Sequence, residues 1–237
     1  MQKATGISNE STLDLNINGG TISGDYGLGT YNSATVNISG ATLVGNNGYA
    51  IGTSGGNITI ENNSTIISAN NSAIKEWGAG ELRIDNSTVT STTSSAVNTA
   101  GLSTIIKNNS TLHSESEDTI IIWGGGEALI ENSSVSSELG NAIDNGNATL
   151  IISGDSNITG IANNPVIYNR ADGNIIVNGG IIESAKIAIE NYGELEVRSG
   201  SILTSGDWVT VYNRSGGSLT VNGGSILNKL AEGYRNK

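Results

Sequence analysis

Aliphatic residues recur along this chain in two nested rhythms. The shorter is strict alternation over three or four residues: Leu15-x-Ile17, Val36-x-Ile38, Ile58-x-Ile60, Leu82-x-Ile84, Leu150-x-Ile152, Ile175-x-Val177, Leu195-x-Val197 and Leu219-x-Val221. A period of two puts these side chains on one face of a β-strand. The longer rhythm appears in the aliphatic residue that follows each Asn/Gly/Ser-rich turn: Ile22, Leu43, Ile66, Val89, Leu112, Val135, Ile158, Ile182, Ile202 and Ile226. Its step averages about 23 residues, inside the range of solenoid repeats. A small-plus-aliphatic pair follows about eight residues later in most units, as in Ala50-Ile51, Ala73-Ile74, Ala96-Val97, Ala142-Ile143 and Ala188-Ile189. A Gly-rich turn such as Gly124-Gly125-Gly126 then closes the unit. Three short strands per unit and no helical period predict an all-β fold: a right-handed parallel β-helix, three-sided, with about ten coils of about 23 residues.

The turn after the first strand supports the same frame. Its second residue is Gly19, Gly40, Asn62, Asn86, Asn108, Asn132, Gly154, Gly179, Ser199 and Gly223. Gly and Asn are the residues that best tolerate a left-handed backbone, so this column predicts one corner repeated coil after coil. On stacked coils, Asn62, Asn86, Asn108 and Asn132 are placed to hydrogen-bond along the axis as an asparagine ladder. That is a structural role. Residues 11–228 read as one β-helix domain, residues 1–10 as an N-terminal cap or leader, and residues 229–237 as a C-terminal tail.

Composition refines this picture. The chain has 237 residues, 33 Gly, no Cys, no Phe and only 4% aromatics, so the core must be built from Ile, Val, Leu and Ala. A formal net charge of −11 disfavours phosphate backbones, and nucleic acid is not an expected partner. The absence of Cys removes disulfides and thiolate metal sites. No apolar run is long enough to span a membrane.

The units Leu195-Glu196-Val197-Arg198-Ser199-Gly200-Ser201-Ile202 and Leu219-Thr220-Val221-Asn222-Gly223-Gly224-Ser225-Ile226 resemble the repeats of bacterial surface β-helices of pectin-lyase-like architecture, which include adhesins and autotransporter passenger domains. The resemblance covers roughly residues 11–228. It implies an extracellular or cell-surface location and a non-enzymatic adhesin or stalk segment that binds a glycan or protein through a lateral face. The same architecture also hosts carbohydrate-binding and polysaccharide-cleaving enzymes and phage tailspike shafts, and these remain the alternatives. The polygalacturonase-like segments N-T-D, G-H-G and R-I-K do not occur here, and the single His113 falls in an outward strand phase.

Three outward features are candidate sites. The middle outward position of the first strand carries aliphatics on four successive coils, Ile105, Leu129, Ile151 and Ile176. Such a stripe suits a partner groove or lateral self-association. Trp77, Trp123, Tyr192 and Tyr212 gather near the closing turn, where rings along one edge would suit stacking on a glycan. Glu61, Asp85, Lys107 and Glu131 form a charged column with Glu81 nearby. It reads as a solvated charge ladder, or as a calcium site formed by Glu61, Glu81, Asp85 and Glu131; no other cofactor is expected.

Overall fold

The computed structural model describes residues 4–32, 34–78, 80–101, 103–161 and 163–230. The chain is an all-β parallel solenoid of about ten coils. Each coil contributes three strands, exemplified by Ile58–Glu61, Thr65–Ser68 and Ile74–Glu76. Every strand pairs in parallel with its counterparts one coil away. In the first column the register runs Ile58↔Leu82↔Thr104↔Ala128↔Leu150↔Ile175↔Leu195↔Leu219. At a strand spacing of about 4.8 Å, ten coils make a rod about 48 Å long.

The third strands form a separate ten-stranded sheet, while the first and second columns are joined in one sheet of 17 strands. They are joined because Thr149–Gly160, Asn174–Ser184 and Glu194–Thr204 run unbroken around the corner that interrupts the chain in earlier coils. The left-handed corner lies where the Gly/Asn column predicts it. Asn62, Asn86, Asn108 and Asn132 have φ between 45° and 58°, and Gly19, Gly40, Gly154 and Gly179 are also positive. In two late coils the left-handed residue comes one position later, at Gly200 and Gly224 rather than Ser199 and Gly223. A side chain at φ > 0 is costly for serine, so Gly200 takes the bend beside Ser199.

Inside, aliphatic columns stack coil on coil. Leu43, Ile66, Val89, Leu112, Val135, Ile158, Ile182 and Ile202 are buried and in register, as are Ile51, Ile74, Val97, Ile120, Ile143, Ile167 and Ile189 on the third side. No coil could bury its inner face alone, and stacking supplies the cover.

Buried polar ladders run beside these columns. At the first corner Ser64, Ser87, Ser110, Ser133 and Ser156 are buried at successive intervals of 23 residues. The hydroxyls of Ser87, Ser110, Ser133 and Ser156 each accept the backbone N–H of the serine one coil earlier, at 3.2–3.4 Å. Each of the five donates to a carbonyl of its own corner, Ser110 to Lys107 O at 2.7 Å for example. At the second corner Ser68, Ser91, Ser114 and Ser137 donate to the carbonyls of Gly48, Asn71, Ser94 and Glu117. Turn backbone groups that would otherwise be buried unpaired are satisfied this way.

An amide ladder is present, on the third strands and inside the rod. Asn145 Nδ2 donates to Asn169 Oδ1 at 2.8 Å, Asn169 to Asn191 at 2.7 Å, and Asn191 to Asn213 at 2.7 Å. The four corner asparagines do not bond amide to amide. They are exposed, and their side chains reach other groups: Asn62 bonds Ser39 and Glu61, Asn108 bonds Asp85, and Asn132 Oδ1 accepts the Asp155 N–H. The left-handed corner points their amides outward, away from the stack axis.

Thr5–Asn9, within the segment expected to be a cap or leader, is an edge strand of the third sheet paired in parallel with Tyr26–Thr30. Residues 1–3 and 231–237 lie outside the described residues, so most of the expected tail does too. No helix among the described residues is long and apolar enough to cross a membrane.

Candidate functional site: the aromatic third face

The third sheet has short strands, so each contributes one inward pair flanked by outward positions. Its middle outward column reads Gly29, Gly52, Lys75, Asn98, Ile121, Asp144, Tyr168, Glu190 and Tyr212. The adjoining corner column includes Trp77, Ala100, Trp123, Gly146, Arg170, Tyr192 and Arg214, each N–H bonded to the coil before it. The structure thus stacks Trp77, Trp123 and Tyr192 in one column and places Tyr212 in the neighbouring one, two residues earlier in its strand. Both columns face outward because they flank the same inward residue, Asn213 in the case of Tyr212 and Arg214.

The face divides into two chemically different halves. Toward the C-terminus the rings are covered by arginines. The Arg170 guanidinium lies 4.9 Å from the Trp123 ring and 5.4 Å from that of Tyr168, and Arg214 lies 3.6 Å from the Tyr212 ring. Each guanidinium also holds a buried carboxylate. Arg170 pairs with both oxygens of Asp144, at 2.8 and 2.6 Å, and Arg214 Nε donates to Glu190 Oε1 at 2.8 Å. The Asp144 bonds hold the Arg170 guanidinium above its ordinary pKa. Asp118, beside this pair, is pushed above the usual carboxylate range by burial, partly offset by the Asn141 N–H it accepts.

Toward the N-terminus the same face opens into a groove of about 300 Å³ lined by Thr5, Tyr26, Leu28, Gly29, Tyr31, Tyr49, Gly52 and Trp77. Gly29 and Gly52 are paired in register on adjacent coils, so the floor lacks two side chains where later coils carry Lys75 and Asn98. The Tyr49 and Trp77 rings meet edge to face at 5.1 Å, and the Tyr26 and Tyr49 rings lie 5.9 Å apart, tilted by 46°. Tyr31 is 60% exposed and Trp77 51%, so much of both rings faces solvent. The Lys75 ammonium stands 5.9 Å from the Trp77 ring, and partial burial, which disfavours its charged form, lowers its pKa. Beneath the rim, Glu76 points inward, 2% exposed, and accepts the Thr99 hydroxyl. Burial raises its pKa, and the bonds from Thr99 and the Gly101 N–H oppose that shift. Trp77 was legible in the sequence; Tyr26, Tyr31 and Tyr49 were not. The signal that could have found them was a pair of mid-strand glycines 23 residues apart with aromatics on either side.

The other candidates sit on the first sheet. Ile105, Leu129, Ile151 and Ile176 stack in register as expected, ended by Arg83 and Glu196. All four are half-buried, because neighbouring outward side chains cover their flanks. The carboxylates proposed for calcium are not gathered. Asp85 is held by Arg83 at 2.7 Å, by Lys107 at 3.7 Å and by the Asn108 amide at 2.7 Å. Among the described residues no three His, Cys, Asp or Glu side chains converge in a way that would hold a metal ion. Arg83 and Lys107 supply to Asp85 the positive charge that a cation would otherwise bring. His113 Nδ1 lies 2.9 Å from the Ser136 hydroxyl, with Glu138 at 3.7 Å from Nε2.

The fold and this face define a parallel β-solenoid with an aromatic lateral surface. The chain matches no protein-family model, and no curated protein and no solved structure is matched by it.

Proposed function

We propose that this chain is a non-enzymatic, surface-displayed rod, an adhesin or stalk segment that binds a glycan or protein ligand through a lateral face. The observation that carries this reading is the open aromatic groove over Gly29 and Gly52, set on a rod with hydrogen-bonded polar ladders inside. A rigid scaffold presenting exposed, rigid rings at its side suits recognition, because little entropy is lost when the rings are engaged. The non-catalytic reading is supported by the carboxylates of the same face. Asp144 is committed to Arg170, Glu190 to Arg214, and Glu76 is turned inward onto Thr99. General acid–base or nucleophilic work on a glycan needs a pair of carboxyls facing the substrate. The bacterial-surface setting rests on the repeat's resemblance to surface β-helices.

The experiment is a glycan array and a cell-binding assay with the whole chain, run with and without calcium, alongside Ile151→Arg and Trp77→Ala/Trp123→Ala variants. Binding lost in the tryptophan variant assigns adhesion to the third face, and binding lost only in Ile151→Arg moves it to the first. Turnover of any polysaccharide by the purified chain refutes the non-enzymatic reading.

A further inference from the structure

We infer that the groove around Gly29 and Gly52 is a binding subsite for a neutral hexopyranose unit of a glycan; this rests on the adhesive reading above and names its ligand. Tyr26, Tyr31, Tyr49 and Trp77 each present a flat apolar ring with one polar tip, and no carboxylate or guanidinium lines the groove. A pyranose has the matching character: a face of C–H bonds bordered by hydroxyls. Its C–H bonds carry partial positive charge and are attracted to the negative face of a π-system, strongest for indole.

The polar tips are placed for hydroxyls. Among the described residues neither the Tyr31 hydroxyl nor the Trp77 indole N–H has a hydrogen-bond partner. The volume, about 300 Å³, is at the small end for ligand sites and fits one ring rather than a chain of them.

Charge narrows the class further. The chain carries a formal net charge of −11, and among the described residues the one cation near the groove, Lys75, donates to Asn98 Oδ1 at 2.5 Å. Uronic and sialic acids would meet a repulsive field without a dedicated counter-ion. A peptide strand cannot pair with the floor of the groove, because Tyr26–Thr30 and Ile51–Thr53 are already hydrogen-bonded to strands on both sides; the sheet's edge strand, Thr5–Asn9, borders only one end of it.

The glycine floor supplies a clean perturbation. Gly52 has an ordinary extended backbone, and a Cβ there would meet Trp77 and Tyr49 at 3.4 Å, an ordinary contact. The same column carries Lys75 and Asn98 on the next coils, so Gly52→Asn keeps the strand and fills the groove.

The test is saturation-transfer NMR on the whole chain. The probes are the methyl glycosides of glucose, galactose, mannose and N-acetylglucosamine, against glucuronate and sialic acid. At least one neutral glycoside is expected to bind, with strongest transfer to the C–H protons of one sugar face. Gly52→Asn and Trp77→Ala should each weaken it about tenfold or more, and Trp123→Ala should not. Unchanged circular dichroism would show that the coils persist. Binding that survives Gly52→Asn and Trp77→Ala, or equal binding of the acidic sugars, overturns the inference. So does silence from all four neutral glycosides. If the chain still adheres to cells or arrays in any of these cases, the adhesive reading stands and only the ligand assignment falls. A peptide library captured by the wild type and lost in Gly52→Asn assigns the groove to a protein ligand instead.

Discussion

Truncating Asn169 tests whether the interior amide ladder, rather than the aliphatic columns alone, ties the C-terminal coils together. Asn169 is fully buried, and its side chain takes part in four hydrogen bonds. Its Nδ2 donates to Gly173 O at 3.1 Å, Asn191 Oδ1 at 2.7 Å and Glu194 O at 3.1 Å, while its Oδ1 accepts Asn145 Nδ2 at 2.8 Å. Asn145 keeps a bond to Ala148 O when Asn169 is removed, but Asn191 Oδ1 loses the donor below it. At about 1 kcal/mol per net bond, plus at least as much again for an orphaned buried acceptor, Asn169→Ala should destabilise by about 5 kcal/mol. Asn213 offers the internal control. It ends the same ladder, accepts Asn191 Nδ2 at 2.7 Å, and is exposed, so water replaces what truncation removes. Asn213→Ala should cost less than about 1 kcal/mol. Urea unfolding followed by tryptophan fluorescence gives the global effect. Because coils of a solenoid can open separately, amide hydrogen exchange at Asn174, Glu194 and Ser218 gives the local one. The reasoning is refuted if Asn169→Ala costs no more than Asn213→Ala, or if exchange rises uniformly along the rod.

Glu76→Gln should stabilise the rod at neutral pH. The folded carboxyl has a raised pKa, so relative stability is full below the ordinary glutamate range and is lost as pH rises through the raised value. The advantage of the variant in thermal melts should therefore grow from near zero at about pH 4 to its full size at neutral pH; an advantage constant with pH would disprove it. Arg170→Ala leaves the Asp144 carboxylate buried without its bidentate partner and should cost about 2–3 kcal/mol. The double variant Arg170→Ala/Asp144→Ala should recover part of that loss in denaturant titrations. Leu112→Ala opens a cavity mid-rod and should cost about 3 kcal/mol, seen as a lowered urea midpoint. Ser110→Ala removes a buried hydroxyl that bridges the Ser87 N–H and the Lys107 carbonyl, and should cost about 1–2 kcal/mol in the same titration.

The sequence by itself determined the coil. The phase from Ile22 to Ile226 and the alternation around each anchor define strands and their inward faces without reference to anything distant. The Gly/Asn column places the left-handed corner, since only those residues adopt that backbone cheaply. The serine ladder was equally legible, at an interval of 23 residues, but serine in a turn carries no signal of burial until the next coil covers it.

What lay between coils was decided only by the tertiary structure. Asn145, Asn169, Asn191 and Asn213 form the interior ladder, whereas the corner asparagines, spaced just as evenly along the chain, turn outward and bond elsewhere. Asp85 read by its column as part of a charge ladder or a calcium site, and the structure closes Arg83, Lys107 and Asn108 around it. Gly29 and Gly52, not among the residues singled out in the sequence, form a strand-paired floor beneath four aromatic rings. The reason is common to all three. Periodicity along one strand says which way a side chain points, but its partners stand one coil away, some 20 to 26 residues along the chain. Register and corner geometry alone choose which of them it meets.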